Sequence, residues 1–277
     1  GFASPGSKSS MLGFSFFNCS FAILAIIQGL TEFLPISSSA HLLLPSLLFG
    51  LKDLGLSYDI AVHAGTLVAV IYFFKPEIML MTKSLYLNNN NLNKYKNLAL
   101  CLIAATIPIV LVGFSVSDLI DQRIFGIQSI ALVNIIFAGI LLFAFLKRNE
   151  KKDLFQLSLY GALFIGVLQC FALIPGASRS GTAITAALLI GMNIKDATKF
   201  SFMLGIPTIL GALVLLLIDI QKLDIAFNMA HLIVGFLVSM IFAFLTIKLF
   251  LAFVEKIGML PFIVYRLFLG LFLLLII

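Results

Sequence analysis

The chain has 277 residues, of which 61% are hydrophobic and only 11% charged, with a net charge of +6 and a mean hydropathy of +1.16. A soluble domain carries roughly 45–50% apolar and about 25% charged residues, so this composition excludes one and indicates an integral membrane protein. The apolar runs are continuous rather than alternating, which argues against a transmembrane barrel, and the basic excess points to positive loops on one membrane face rather than to nucleic acid.

Residues 1–10, GFASPGSKSS, are small and polar, precede Met11 and are expected to be a leftover of expression; a single membrane domain is expected over 11–277. Apolar segments then follow at 14–31, 39–49, 60–74, 97–116, 127–146, 157–174, 182–191, 200–218, 229–250 and 260–277. A span needs about 20 residues, so the segments at 39–49 and 182–191 are too short to cross. Each short segment follows a polar, proline-containing stretch, PISSSAH before the first and PGASRSGT before the second. Each therefore reads as the second arm of a helix–loop–helix pair that enters and leaves the membrane on one side. Irregular backbone at that depth requires a lining of protein or a water-filled cavity. Cys19, Cys101 and Cys170 are scattered through apolar segments and predict neither a disulfide framework nor a metal cluster.

The two halves resemble each other. YDIAVHAGTLVAV at 58–70 matches FSFMLGIPTILGA at 200–212 in pattern, pairing Thr66 with Thr208, and Pro35 pairs with Pro175. The expected fold is an all-α membrane protein of about ten helices. It comprises two inverted repeats, about 11–150 and 151–277, each a re-entrant pair plus three spans. Charge favours this arrangement. With re-entrant pairs, the segments 75–97, 147–153, 195–199 and 248–256 share a face carrying +7, while 52–59, 118–123 and 219–224 carry −3. Full spans at 14–31 and 157–174 would reduce that bias to +4 against 0.

Three charged residues then remain inside apolar segments: Glu32, Arg179 and Arg266. Intramembrane ionisable groups are costly and mark function by default. Glu32 and Arg179 belong to the two equivalent pairs, so the repeats are expected to bring them together. Ser37, Ser38 and Ser39 open one short helix; Ser178, Ser180, Gly181 and Thr182 open the other. Hydroxyls and free N–H groups at helix N-termini favour phosphate, Gly176 and Gly181 would allow close backbone approach, and Arg179 offers a planar fork. His41, in the first turn after the serines, is expected beside the same site and can carry a proton near neutrality. Gln28 shares a helix face with Glu32. Glu32 can act as a base, orient His41 or ligate a metal. Arg266 is expected to reach the substrate, and His63, one turn from Asp59, could face the cavity.

With these residues in place, QGLTEFLPISSSAH (28–41) and PGASRSGT (175–182) resemble the two signatures of the undecaprenyl-diphosphate phosphatases, the bacterial bacitracin-resistance family. AVHAGTLVAV (61–70), FSFMLGIPTILGA (200–212) and PFIVYR (261–266) extend the resemblance along nearly the whole chain from Met11. The resemblance implies hydrolysis of undecaprenyl diphosphate to the monophosphate, recycling the lipid carrier of cell-wall synthesis, in a multi-pass protein of the bacterial plasma membrane. It implies Mg²⁺ or Ca²⁺ as activator and places Glu32, Ser38, Ser39, His41, Ser178 and Arg179 at the site. Gln28 stands where many members have Glu, which weakens a two-carboxylate metal site; Ala40 replaces the usual Gly, and Lys199 stands where some members have Glu.

The rival reading is a transporter or flippase of a phosphorylated polyprenyl lipid, since inverted repeats with broken helices suit transport as well. A type-2 phosphatidic acid phosphatase is disfavoured: no later His and Asp follow SR at helical spacing. The attacking group is left open among Ser38, His41 and water, with Ser38 preferred and His41 and Glu32 managing its proton. A homodimer is compatible with the sequence.

Overall fold

A computed structural model describes residues 21–38, 40–42, 50, 54–87, 89–121, 126–220 and 228–276, with backbone alone at 117–121 and 219–220. Among them the regular structure is helical. In chain order the helices are α1 (Phe21–Thr31), α2 (Leu56–Phe73), α3 (Lys75–Tyr86), α4 (Asn93–Asp121), α5 (Ile127–Lys147), α6 (Leu159–Gln169), α7 (Arg179–Leu189), α8 (Ile194–Ile220), α9 (Met229–Ile257) and α10 (Leu260–Ile276). Five of them, α2, α4, α5, α8 and α9, are long and apolar enough to cross a bilayer. α10, at 17 residues, is about 25 Å long, slightly short of a hydrocarbon core of about 30 Å. Pro108 lies inside α4 and Pro207 inside α8; membrane helices tolerate such interruptions where neighbours satisfy the freed backbone groups.

Two segments differ from expectation. The basic stretch at 75–97 is not an open loop. Pro76 in the first turn, Glu77 near the N-terminus and Lys83 near the C-terminus make Lys75–Tyr86 a helix of 12 residues, as the proline preference and the macrodipole favour. The segment 157–174 is not one helix either. α6 ends after 11 residues, and Cys170–Leu173 continues as a 3₁₀ turn.

α6 and α7 form a closed hairpin. Lys152 N–H donates to the Gly191 carbonyl and Asn193 N–H to the Lys152 carbonyl, each at 2.9 Å. A Cβ on Gly161 would lie 3.1 Å from Ile190 Cδ1. The chain thus enters α6 and leaves α7 at the same level. α7 occupies the centre, with every residue from Ser180 to Leu188 buried, as expected of a short helix whose whole circumference is enclosed by others. α2 packs most extensively on α9, α5 on α10 and α4 on α6. Large apolar side chains such as Leu111, Phe114, Phe143 and Phe268 cover the outside; a bilayer solvates them as water could not.

One end of the bundle collects the charged segments. Leu154 N–H donates to Asp196 Oδ2 at 3.1 Å, Lys195 pairs with Glu255 at 2.9 Å, and the Tyr95 and Phe155 rings meet at 5.3 Å. These contacts join 75–97, 195–199 and 248–256 with Leu154 and Phe155, which directly follow 147–153; charge assigns these four segments to one face.

Candidate active site

Two polar loops meet in the middle of the bundle. In the first, Glu32 N–H still donates to the Gln28 carbonyl at 3.0 Å, the chain bends through Pro35, and Ser37 takes φ 69° before helical backbone resumes at Ser38. In the second, Gly176 takes φ 99° and Ser178 φ 72° before α7 begins at Arg179. Left-handed backbone is unusual for serine, and it occurs at matching places in both loops. The Ser178 hydroxyl caps α7 by accepting from Gly181 N–H at 3.2 Å. Ser180 Oγ donates to the Leu34 carbonyl at 2.8 Å and so ties the loops together.

A cavity of about 260 Å³ lies between them, lined by Glu32, Ser37, Ser38, Ser178 and Arg179, with His63 from α2 and Thr208 from α8. The Glu32 carboxylate is its hub. One oxygen accepts from Gln28 Nε2 at 2.9 Å and from Ser38 Oγ at 3.2 Å, and the other pairs with Arg179 Nη2 at 3.2 Å. Arg179 Nη1 is buried without a hydrogen-bond partner, and so is Gln28 Oε1. An unpaired, buried guanidinium N–H can donate to an anion. Gly205 makes room for it: a Cβ there would run into Nη1 and lie 3.0 Å from Arg179 Cζ.

Other expected site residues go elsewhere. His41 has both ring nitrogens bonded elsewhere than to Ser38. Its Nδ1 meets the Ser37 carbonyl and its Nε2 the Tyr265 hydroxyl, each at 2.7 Å. A carbonyl only accepts, so Nδ1 carries the proton and no ring nitrogen faces the Ser38 hydroxyl. The back-bond to the residue four positions earlier turns the imidazole behind the loop. Arg266 does not line the cavity; it is fully buried and bonded to Asn134 Oδ1 and to backbone carbonyls of both loops. Thr182 Oγ1 is engaged by the Arg179 carbonyl at 2.9 Å and Ser180 by Leu34. Gly181 gives space to Arg266 Nη1, 2.9 Å from a Cβ placed there, and Gly176 to the Ile130 carbonyl of α5, rather than to a ligand. Ser39 lies outside the described residues. His63 does reach the cavity, with Nδ1 on the Asp59 carbonyl at 2.8 Å. Thr208 was missed as a lining residue; its match with Thr66 gave only the repeat, although an intramembrane threonine one turn from Gly205 could have been followed inward.

A second hollow of about 470 Å³ adjoins the first. It is lined by apolar side chains of α4 and α8, including Ile109, Phe114, Leu210 and Val214, and shares Arg179, Thr208 and Leu173 with the polar cavity.

This is a multi-pass membrane protein, helical in its described residues, with a polar cavity adjoining an apolar groove. Residues 21–272 match the family described as bacitracin resistance protein BacA. A protein named undecaprenyl-diphosphatase from Saccharophagus degradans is 46% identical over 251 residues, covering 89% of this chain and 93% of that protein. Another of the same name from Alcanivorax borkumensis is 44% identical over 250 residues, covering 90% and 94%. The chain belongs to the BacA bacitracin resistance family.

Proposed function

We propose that the chain is an undecaprenyl-diphosphatase of the bacterial plasma membrane, releasing phosphate from undecaprenyl diphosphate, regenerating the monophosphate and so conferring resistance to bacitracin. One observation carries this: Arg179 is a shared wall of the polar cavity and the apolar groove, as an amphiphile with a diphosphate head and a polyprenyl tail requires.

The geometry supports a sequence of steps. The diphosphate competes for the Arg179 guanidinium, drawing it from Glu32. The freed carboxylate takes the Ser38 proton across the existing 3.2 Å hydrogen bond as the hydroxyl attacks the terminal phosphorus. The P–O bond to the lipid monophosphate breaks, protonated Glu32 passes its proton to the departing monophosphate oxygen, and Arg179 stabilises charge on the transferring group. Water then cleaves the phosphoserine: Glu32, ionised again, takes a proton from the attacking water and returns it to Ser38 Oγ as the P–O bond to serine breaks, leaving inorganic phosphate. Attack by His41 is the runner-up, and it would require the imidazole to leave both of its present partners.

Mg²⁺ or Ca²⁺ is a fitting activator. Among the described residues no three His, Cys, Asp or Glu gather, but Glu32 and the unpartnered Gln28 Oε1 suit a hard cation that takes its other ligands from phosphate. Such a cation would neutralise diphosphate charge.

Inverted repeats account for Ser37 and Ser178 sharing a positive φ 141 residues apart, and for four basic segments at one end. On this reading the groove runs from Arg179 toward Phe114 and Leu215, away from the basic end, so the site opens to the outer face. Purified protein in detergent with undecaprenyl diphosphate is the test. Phosphate release without two compartments supports the reading; binding without release transfers it to a lipid transporter.

A further inference from the structure

Arg266 carries a charge that the reaction above does not use. It is 0% exposed. Its guanidinium donates to Asn134 Oδ1 at 2.8 Å, to the Pro35 carbonyl at 3.4 Å, and to the Gly176 and Ala177 carbonyls at 2.9 and 3.0 Å. Asn134 in turn donates to the Arg266 carbonyl at 2.9 Å. None of these acceptors is a carboxylate. A buried cation held only by neutral dipoles is costly to build, and here its acceptors belong to both signature loops at once.

We infer that Arg266, held by Asn134, is a positioning residue that fixes the two loops against each other and, by holding the Ala177 carbonyl, aims the Ser178 N–H at the phosphate; the N–H groups that follow the Pro35 and Gly176 carbonyls already donate to Leu34 and Ile174. This rests on the phosphatase reading. In a trans peptide the carbonyl and the following N–H point in opposite directions. The Ala177 carbonyl is fixed on Arg266, so the Ser178 N–H is turned toward the side on which Ser178 lines the cavity. His41 does the same in the first loop: it holds the Ser37 carbonyl, and the Ser38 N–H is turned the other way. The left-handed conformations of Ser37 and Ser178 bring these peptides into place. The Arg266 charge behind the loops adds positive potential at the site without touching the substrate. α10 is thus the element that sets one loop against the other.

The test uses the full chain in detergent, undecaprenyl diphosphate as probe and phosphate release as readout. Arg266→Lys keeps the charge and loses the fork that reaches both loops. The expected result is a fall in kcat of roughly 100-fold, the scale of a lost oxyanion donor, with KM changed by less than about threefold and the thermal midpoint near that of the parent. A merely structural role would lower the midpoint and leave the kcat of folded protein alone. A folded Arg266→Lys with parental kcat overturns the inference. If that variant does not fold, Asn134→Ala decides: kcat should fall about tenfold, and Asn134→Asp, which keeps the acceptor for Nε, should recover most of it. Parental kcat in Asn134→Ala overturns the inference equally. Turnover by the parent checks the phosphatase reading separately.

Discussion

Arg179 is held by one contact and left open at another, and that balance gives sharp expectations for single substitutions. Arg179→Lys preserves charge but cannot bridge Glu32 and a phosphate as a planar fork; kcat/KM should fall by roughly 2–4 kcal/mol. Near-parental hydrolysis by folded Arg179→Lys would remove it from the reaction. Gly205→Ala is a finer probe. Alanine in mid-helix is favoured over glycine by about 0.5–1 kcal/mol, so the fold should hold or gain. Yet the new methyl occupies the place of the guanidinium, and hydrolysis should fall more than about tenfold. A Gly205→Ala protein with unchanged rates would show that Arg179 need not stand where it does. For Ser38→Ala, retention of more than about a tenth of parental kcat, under roughly 1.4 kcal/mol, excludes serine attack. Glu32, Ser37, Ser38, Ser178 and Arg179 were legible because polar groups inside apolar segments need a reason. The same logic expected His41 and Arg266 beside the substrate, whereas neither lines the cavity and both bond to the loops. Sequence reveals that a buried polar residue has a task, but the direction of its side chain decides whether it faces the cavity or braces the loop behind it.

The elements were legible where length and hydropathy decide, as in α4, α5, α8 and α9. α7 was expected to be too short to cross, and its 11 residues agree. The division of 157–174 into α6 and a 3₁₀ turn was not legible, because the hydropathy stays high through it, no Pro marks the break, and the polar residue at it, Gln169, is as common inside a helix as at its end. Its cause is tertiary: the chain must reach Pro175 at the level of the cavity. Gly166 shows how tightly α6 is held, since a Cβ there would lie 2.8 Å from Ala105 Cα of α4. Small residues allow such close helix approach in membranes. Gly166→Val should force the pair apart and cost about 1–3 kcal/mol, read as a lowered unfolding midpoint in detergent. An unchanged midpoint would mean that the hairpin is free to shift against α4.

At the scale of the whole molecule, charge and geometry converge on one orientation. The basic segments meet through Leu154–Asp196 and Lys195–Glu255, although they are far apart in sequence and only the membrane rule grouped them beforehand. At the other end Tyr58 bonds to the Phe21 carbonyl and His231 stacks on Phe21. The proposed orientation puts the first end in the cytoplasm and leaves the groove beside Arg179 open outward. Single cysteines in a background lacking Cys19, Cys101 and Cys170 can read this directly. Lys151→Cys, on the exposed link before α6, should resist a membrane-impermeant maleimide in intact cells and react once the membrane is opened. Asn228→Cys, at the exposed cap of α9, should react from outside. The two sites sit at opposite ends of the bundle, so labelling of both from one face would reject the orientation, and with it the outward opening of the site. If both behave as expected, the substrate head is met from the outer leaflet, and recycling of the monophosphate must be followed by a separate step that returns it to the cytoplasmic face.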